Sequence, residues 1–87
     1  MTYEVQLKRS ALKALSRLDK RTQRRLWARI RSLAENPRPP QAKALQEPWK
    51  GHYRLRVGDY RILYTIEDDR LLVLVAKVGE REGVYRT

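Results

Sequence analysis

The segment from His52 to Tyr64, HYRLRVGDYRILY, constrains this chain more than any other. Apolar and polar residues alternate on both sides of a Gly58-Asp59 pair, the pattern of a β-hairpin with a two-residue turn. With that turn, Val57 pairs with Tyr60, Arg56 with Arg61, Leu55 with Ile62 and Arg54 with Leu63. Successive side chains point to opposite faces of a strand. Tyr53, Leu55, Val57, Tyr60, Ile62 and Tyr64 therefore share one face, and His52, Arg54, Arg56 and Arg61 the other. Arg56 then faces Arg61, and like charges directly opposite each other destabilise a sheet, by roughly 0.2–1 kcal/mol when exposed. A purely structural strand gains nothing from such a cluster; it has the chemistry of a phosphate site.

The charge balance points the same way. Twenty Lys and Arg against ten Asp and Glu leave a formal net charge of +10 in 87 residues. A small protein this basic is attracted to a polyanion, with nucleic acid the leading candidate; composition alone does not separate RNA from DNA or from an anionic membrane surface. The length predicts a single domain, residues 1–87, near the lower end of what one hydrophobic core stabilises unaided. Without cysteine there is no disulfide framework, thiolate metal site or cysteine nucleophile. No apolar run approaches the ~20 residues of a membrane span and no signal-peptide core opens the chain, so a soluble, cytoplasmic protein with no membrane association is expected.

Tyr3 to Lys8 alternates as a first strand. Ser10 is placed to cap a helix whose apolar stripe is Ala11, Leu12, Leu15 and Leu18, and Asp19 to cap a second, with Leu26, Trp27, Ile30, Leu33 and Ala34 as its stripe. Asn36-Pro37 is expected to stop that helix. Arg38 to Gly51 reads as a connecting loop, with Leu45 and Trp49 as anchors onto the core. A two-residue turn at Asp68-Asp69 puts Leu71, Val73 and Val75 on the face of Ile62 and Tyr64, and leaves Leu63, Leu72, Leu74 and Ala76 on the arginine face. The order β-α-α-β-β-β predicts an α+β fold, a small and mostly antiparallel sheet packed against an N-terminal helical hairpin.

In this order and spacing, the opening strand, the basic helix pair ending in Glu35-Asn36-Pro37-Arg38, Lys43-Ala44-Leu45, Tyr53-Arg54-Leu55-Arg56, Asp59-Tyr60-Arg61-Ile62-Leu63-Tyr64, Val78-Gly79-Glu80-Arg81-Glu82 and Val84-Tyr85-Arg86 together resemble the RelE/ParE toxin superfamily, and its RelE branch in particular. The resemblance implies a ribosome-dependent endoribonuclease that cleaves A-site mRNA by attack of the substrate's own 2′-hydroxyl on the adjacent phosphate, with no metal or other cofactor. It also implies two partners: the ribosome, through its 16S rRNA and the A-site mRNA, and a cognate RelB-like antitoxin that binds the toxin in a hetero-oligomeric complex. Carried over by resemblance, Arg61 holds the scissile phosphate, Arg81 lies near the phosphate or the leaving oxygen, and Tyr85 transfers a proton or orients a base. Arg54 and Arg56 stand where well-known members have lysines. A guanidinium stays charged, so both suit a phosphate clamp but not a general base. The 2′-hydroxyl proton is left to Tyr85, His52, water or the RNA itself.

His52 and Lys43 complete the set of expected substrate contacts, with Arg38 as a further loop contact. Tyr53, Tyr60, Tyr64 and Trp27 read as core. Arg17, Lys20, Arg21, Arg24, Arg25, Arg29 and Arg31 have few acids at helical spacing to pair with, which favours ribosomal RNA over a merely solvated face. Arg70 and Lys77 read as ordinary surface charges. Two other functions remain open from the sequence: a ParE-like inhibitor of DNA gyrase, and a basic RNA-binding protein without catalysis.

Overall fold

The computed structural model describes residues 2–80. Within them lie β1 (Glu4–Leu7), α1 (Arg9–Ser16), α2 (Lys20–Ser32), β2 (Lys43–Ala44), β3 (Tyr53–Val57), β4 (Tyr60–Glu67) and β5 (Leu72–Glu80), with a short 3₁₀ turn at Asp68–Arg70. The strands form one sheet in the order β1-β5-β4-β3-β2. Only β1 and β5 run parallel; the remaining pairs are antiparallel. The expected α+β architecture is present, with one strand more than the sequence suggested. None of the helices is long and apolar enough to cross a membrane.

The β3–β4 hairpin has the expected register, with Val57 opposite Tyr60, Arg56 opposite Arg61 and Arg54 opposite Leu63. Gly58 takes φ +61 while Asp59 is not at positive φ, so glycine sits at the one turn position where a Cβ is costly. The helices lie on the apolar face. Ala11 and Leu15 of α1 and Leu26 and Ile30 of α2 join Leu33, Leu55, Val57, Ile62, Tyr64, Val73, Val75 and Val78 in one core. Tyr3, Val5, Leu7, Leu18, Trp27, Tyr53 and Tyr60 pack at its edge.

Several local expectations are corrected. Lys8, not Ser10, caps α1 and makes no side-chain cap bond. The β1 ladder runs straight into the helix: the Lys8 amide donates to the Val75 carbonyl (2.9 Å), and the Lys8 carbonyl accepts from Leu12 (3.0 Å). Leu12 is 47% exposed because this two-turn helix offers only its Ala11–Leu15 line to the sheet. Asp19 caps α2 as expected, accepting from the Thr22 amide (3.2 Å) and hydroxyl (2.6 Å). The helix ends at Ser32, one turn before Asn36-Pro37. The Asn36 amide closes that turn on the Ser32 carbonyl, and its side chain accepts from the Arg38 amide. The Arg38–Gly51 stretch is not all loop, since Lys43–Ala44 adds a fifth strand beside β3. At the β4–β5 connection three residues form the 3₁₀ turn and Leu71, at φ 49, ends it outside the strand.

One irregularity interrupts the β4–β5 ladder. Leu63 pairs with Lys77 and Tyr64 with Val75, so Ala76 is an extra residue in β5, a β-bulge. Past it the face of every β5 side chain changes parity. Val78 enters the core, and Lys77 turns to the face that carries Arg54 and Arg61.

A polar clamp closes one end of the core. Arg38 makes a two-pronged contact with Asp68 (3.1 and 2.9 Å), donates to the Tyr53 hydroxyl (3.1 Å) and lies over the Tyr53 ring. Tyr3 donates to the same carboxylate at 2.6 Å. Beneath, the fully buried Tyr64 stacks on Tyr53 and donates to the Pro37 carbonyl at 2.7 Å. Burial pushes the Tyr64 phenol up to about 12. The Arg38 hydrogen bonds, then that of Tyr3, hold the Asp68 carboxyl at about 2.

Tyr64→Phe leaves the Pro37 carbonyl without its partner and is expected to lower unfolding stability by about 1–3 kcal/mol in urea titrations. The Asp68 contribution has a defined sign. A carboxyl depressed in the folded state stabilises the fold above its ordinary value of 3.8, and that contribution fades as pH falls toward 2. Asp68→Asn is therefore expected to flatten the dependence of the urea midpoint on pH across that acidic window and to lower the midpoint at neutral pH.

Candidate nucleic-acid interface on the open sheet face

Paired residues of neighbouring strands lie on the same face, so the register fixes the surface turned away from the helices. Nearest the hairpin turn is a row of Arg56, Arg61 and Gly79. The next row is Lys43, Arg54, Leu63 and Lys77, one residue from each of four adjacent strands. Beyond the bulge come Thr65, Leu74 and Gln6, then Glu67, Leu72 and Glu4. The face is thus basic at the turn end, uncharged in the middle and acidic at the far end.

The basic end is not a loose fringe of solvated side chains. Arg54 and Arg61 are half-buried, and the Nε of each is enclosed with no hydrogen-bond partner among the described residues. His52 Nδ1 is in the same condition. Leu63 between them is fully buried although it lies outside the main core. Buried polar atoms are nearly always paired, and an orphan left unpaired costs about 1–3 kcal/mol. The described residues thus leave three enclosed nitrogens of this face unpaired. Arg56, directly opposite Arg61, is exposed.

The segment before the hairpin is folded on itself by backbone bonds. Leu45 donates to the His52 carbonyl (2.9 Å), His52 to the Trp49 carbonyl (3.0 Å) and Trp49 to the Gln46 carbonyl (2.9 Å). This carries Trp49 away from the core it was expected to anchor. Its indole meets His52 edge-on at 5.3 Å between ring centres, and the Lys77 ammonium lies 5.1 Å from the indole centre. At the hairpin tip, a Cβ built on Gly58 would lie 3.1 Å from an Arg25 guanidinium nitrogen, so α2 brings a further cation to the turn.

Of the residues singled out from sequence, the structure brings Arg54, Arg56, Arg61, His52 and Lys43 onto one face. Arg81 and Tyr85 lie outside the described residues. Arg38 is engaged by Asp68 and Tyr53 in the clamp and is not part of this face. Arg70 pairs with Glu67 at the surface, as an ordinary charge does. The α2 basic residues are mostly exposed, and neither ion pair among the described residues uses one. Lys77, read from sequence as an ordinary surface charge, and Trp49, read as a core anchor, both lie on this face. Simple alternation in β5 puts Lys77 with Val73 and Val75, and only the bulge at Ala76 reverses it.

A sheet of this order, backed by a helical pair and bearing arginines on its open face, defines a small α+β protein with one strongly basic surface. The model of the ParE toxin of type II toxin–antitoxin systems matches residues 5–85, and the chain belongs to that toxin family. It is similar to a RelE-like toxin protein of Escherichia coli, 32% identical over 84 residues that span 94% of this chain and 86% of the relative. It is also similar to the mRNA interferase toxin RelE of Escherichia coli K12, at 29% identity over 94% of this chain and 86% of that protein. Among solved structures it superposes on a chain of the RelBE2 toxin–antitoxin complex of Mycobacterium tuberculosis with a TM-score of 0.84, at 27% identity and 93% coverage of each chain.

Relieving the Arg56–Arg61 repulsion separates stability from function. Arg56→Gln is expected to raise unfolding stability by roughly 0.2–1 kcal/mol while weakening RNA binding, read from urea titrations and binding isotherms on the same preparations.

Proposed function

We propose that this protein is a ribosome-dependent, metal-independent endoribonuclease that cleaves mRNA in the A site and is held inactive by a cognate RelB-like antitoxin. The observation that carries the reading is the set of enclosed, unpartnered nitrogens of His52, Arg54 and Arg61 beside Arg56. Membership of the toxin family, the mRNA-interferase name of one relative and the toxin–antitoxin complex of a structural neighbour support it. The antitoxin reading also has an electrostatic basis: an acidic segment laid along the open face neutralises charges that find no acid of their own.

The chemistry follows from what each group can do. The 2′-oxygen forms a bond to phosphorus as the bond to the 5′-oxygen breaks, giving a 2′,3′-cyclic phosphate and a 5′-hydroxyl. Negative charge grows on the phosphoryl oxygens meanwhile. Arg61, from the row nearest the hairpin turn, binds them with Arg54 and Arg56, and fixed cations aimed at growing charge are a large catalytic contribution. No arginine here accepts the 2′-hydroxyl proton, because a guanidinium does not deprotonate. That proton goes to Tyr85, His52, water or the RNA itself, and the departing 5′-oxygen takes a proton from the same group or from water. Arg81 completes the phosphate contacts, and Lys43 holds a flanking phosphate from the edge strand.

The test is primer extension on a defined mRNA translated in a purified system. Wild type is expected to cut within A-site codons, and Arg61→Ala to lower the rate by about 10²–10³-fold, the usual effect of losing one transition-state charge contact. Absence of cuts with wild type, together with inhibition of gyrase supercoiling, would overturn the reading in favour of the ParE-like activity.

A further inference from the structure

The function above leaves unused a group on the same face, Lys77 with Trp49. We propose that these two residues form a second nucleotide position beside the phosphate site, in which Lys77 contacts a backbone phosphate and the Trp49 indole packs against the neighbouring base or ribose. The inference rests on the RNA-cleaving reading of the face and names a substrate contact that this reading does not require.

Position is the first argument. Lys77 shares a row with Lys43, Arg54 and Leu63, two strands from Arg54, which is roughly 10 Å at the usual inter-strand spacing. It lies diagonally across one strand pair from Arg61, which pairs with Gly79. Phosphate bound at Arg54 and Arg61 therefore leaves the chain of an RNA strand passing Lys77 on its way across the sheet. The bulge at Ala76 is what puts the lysine there. Bulges re-aim side chains beside functional sites, and without this one the ammonium would face the core.

Chemistry is the second argument. Lys77 is half-buried and its ammonium lies over an indole, 5.1 Å from the ring centre, where a surface lysine would extend into water. The Trp49 ring is fixed in turn by its edge contact to His52 and by the nested backbone bonds of residues 45–52. A rigid aromatic beside a cation, continuous with an arginine row, is the combination that grips single-stranded RNA without reading a long sequence, since every base offers a π-face. Acidic or uncharged partners other than nucleic acid have less use for an indole at this point. The acids of the open face, Glu4 and Glu67, are at its opposite end.

The experiment measures binding of a single-stranded RNA oligonucleotide, made non-cleavable by 2′-deoxy substitution, to the full chain over a range of salt. Lys77→Gln is expected to lessen the slope of log affinity against log salt by about 0.7, the loss of one phosphate contact on a single strand. Trp49→Ala is expected to weaken binding about tenfold, corresponding to ~1.4 kcal/mol, within the range of one lost stacking contact. Trp49→Phe is expected to restore most of that affinity, which a role in folding alone does not predict for so large a cut in ring size. An unchanged salt slope in Lys77→Gln, a loss in Trp49→Ala that Trp49→Phe does not recover, or no binding by wild type would each overturn the inference. The same variants in the translation assay distinguish the two proposals. If wild type cuts and Arg61→Ala does not, while the Lys77 and Trp49 variants bind as wild type does, the second nucleotide position falls and the nuclease stands.

Discussion

The pairing of β3 with β4 is the constraint on which both halves of this molecule depend. It sends Leu55, Val57, Ile62 and Tyr64 inward and Arg54, Arg56 and Arg61 outward, and a slip of one residue would exchange the two sets. Each buried aliphatic or aromatic side chain is worth about 1.5–3 kcal/mol, and the facing arginines cost about 0.2–1 kcal/mol. The core therefore wins with a wide margin and holds the arginines together against their own repulsion. Site geometry is in this sense a by-product of apolar burial on the reverse of the same strands.

Much of this was legible in the sequence because it depends on local period. Alternation and a Gly-Asp turn sufficed for the hairpin register, and an aspartate before a 3.6-residue pattern sufficed for the α2 cap. What was not legible depends on partners distant in the chain. The two-residue strand Lys43–Ala44 has too little length to show alternation and exists because the β3 edge is there to pair with. The bulge at Ala76 leaves no mark in a run of small and branched apolar residues, so the turn of Lys77 toward the open face was not legible there. Trp49 was read as a core anchor because tryptophan in a loop usually is one, yet the turns around it direct the ring to the open face. Helix termini moved by a few residues wherever a strand bond or a turn competed with a cap.

The distribution of acids is as informative as that of bases. Asp68 is spent on Arg38 and Tyr3, Glu67 meets Arg70, and Asp19 caps a helix. Each is bound to a structural task at the far end of the sheet or on the helix joint. The chain carries a net +10, and the basic residues of α2 and of the hairpin take no part in the two ion pairs of the described residues. A field of one sign over such a small body draws a polyanion in from a distance and weakens steeply with salt.

The parallel pairing of β1 with β5 has a consequence for the life of the nascent chain. β1 is made first, but its only neighbour in the sheet is the last strand of the described fold. On a translating ribosome the opening strand waits without a partner while the two helices and three further strands emerge. The row that carries Arg54 likewise lacks Lys77 until then. The open face is complete only once β5 has followed the other strands out. The order of strands thus ties completion of the basic face to β5, however early its other strands are made.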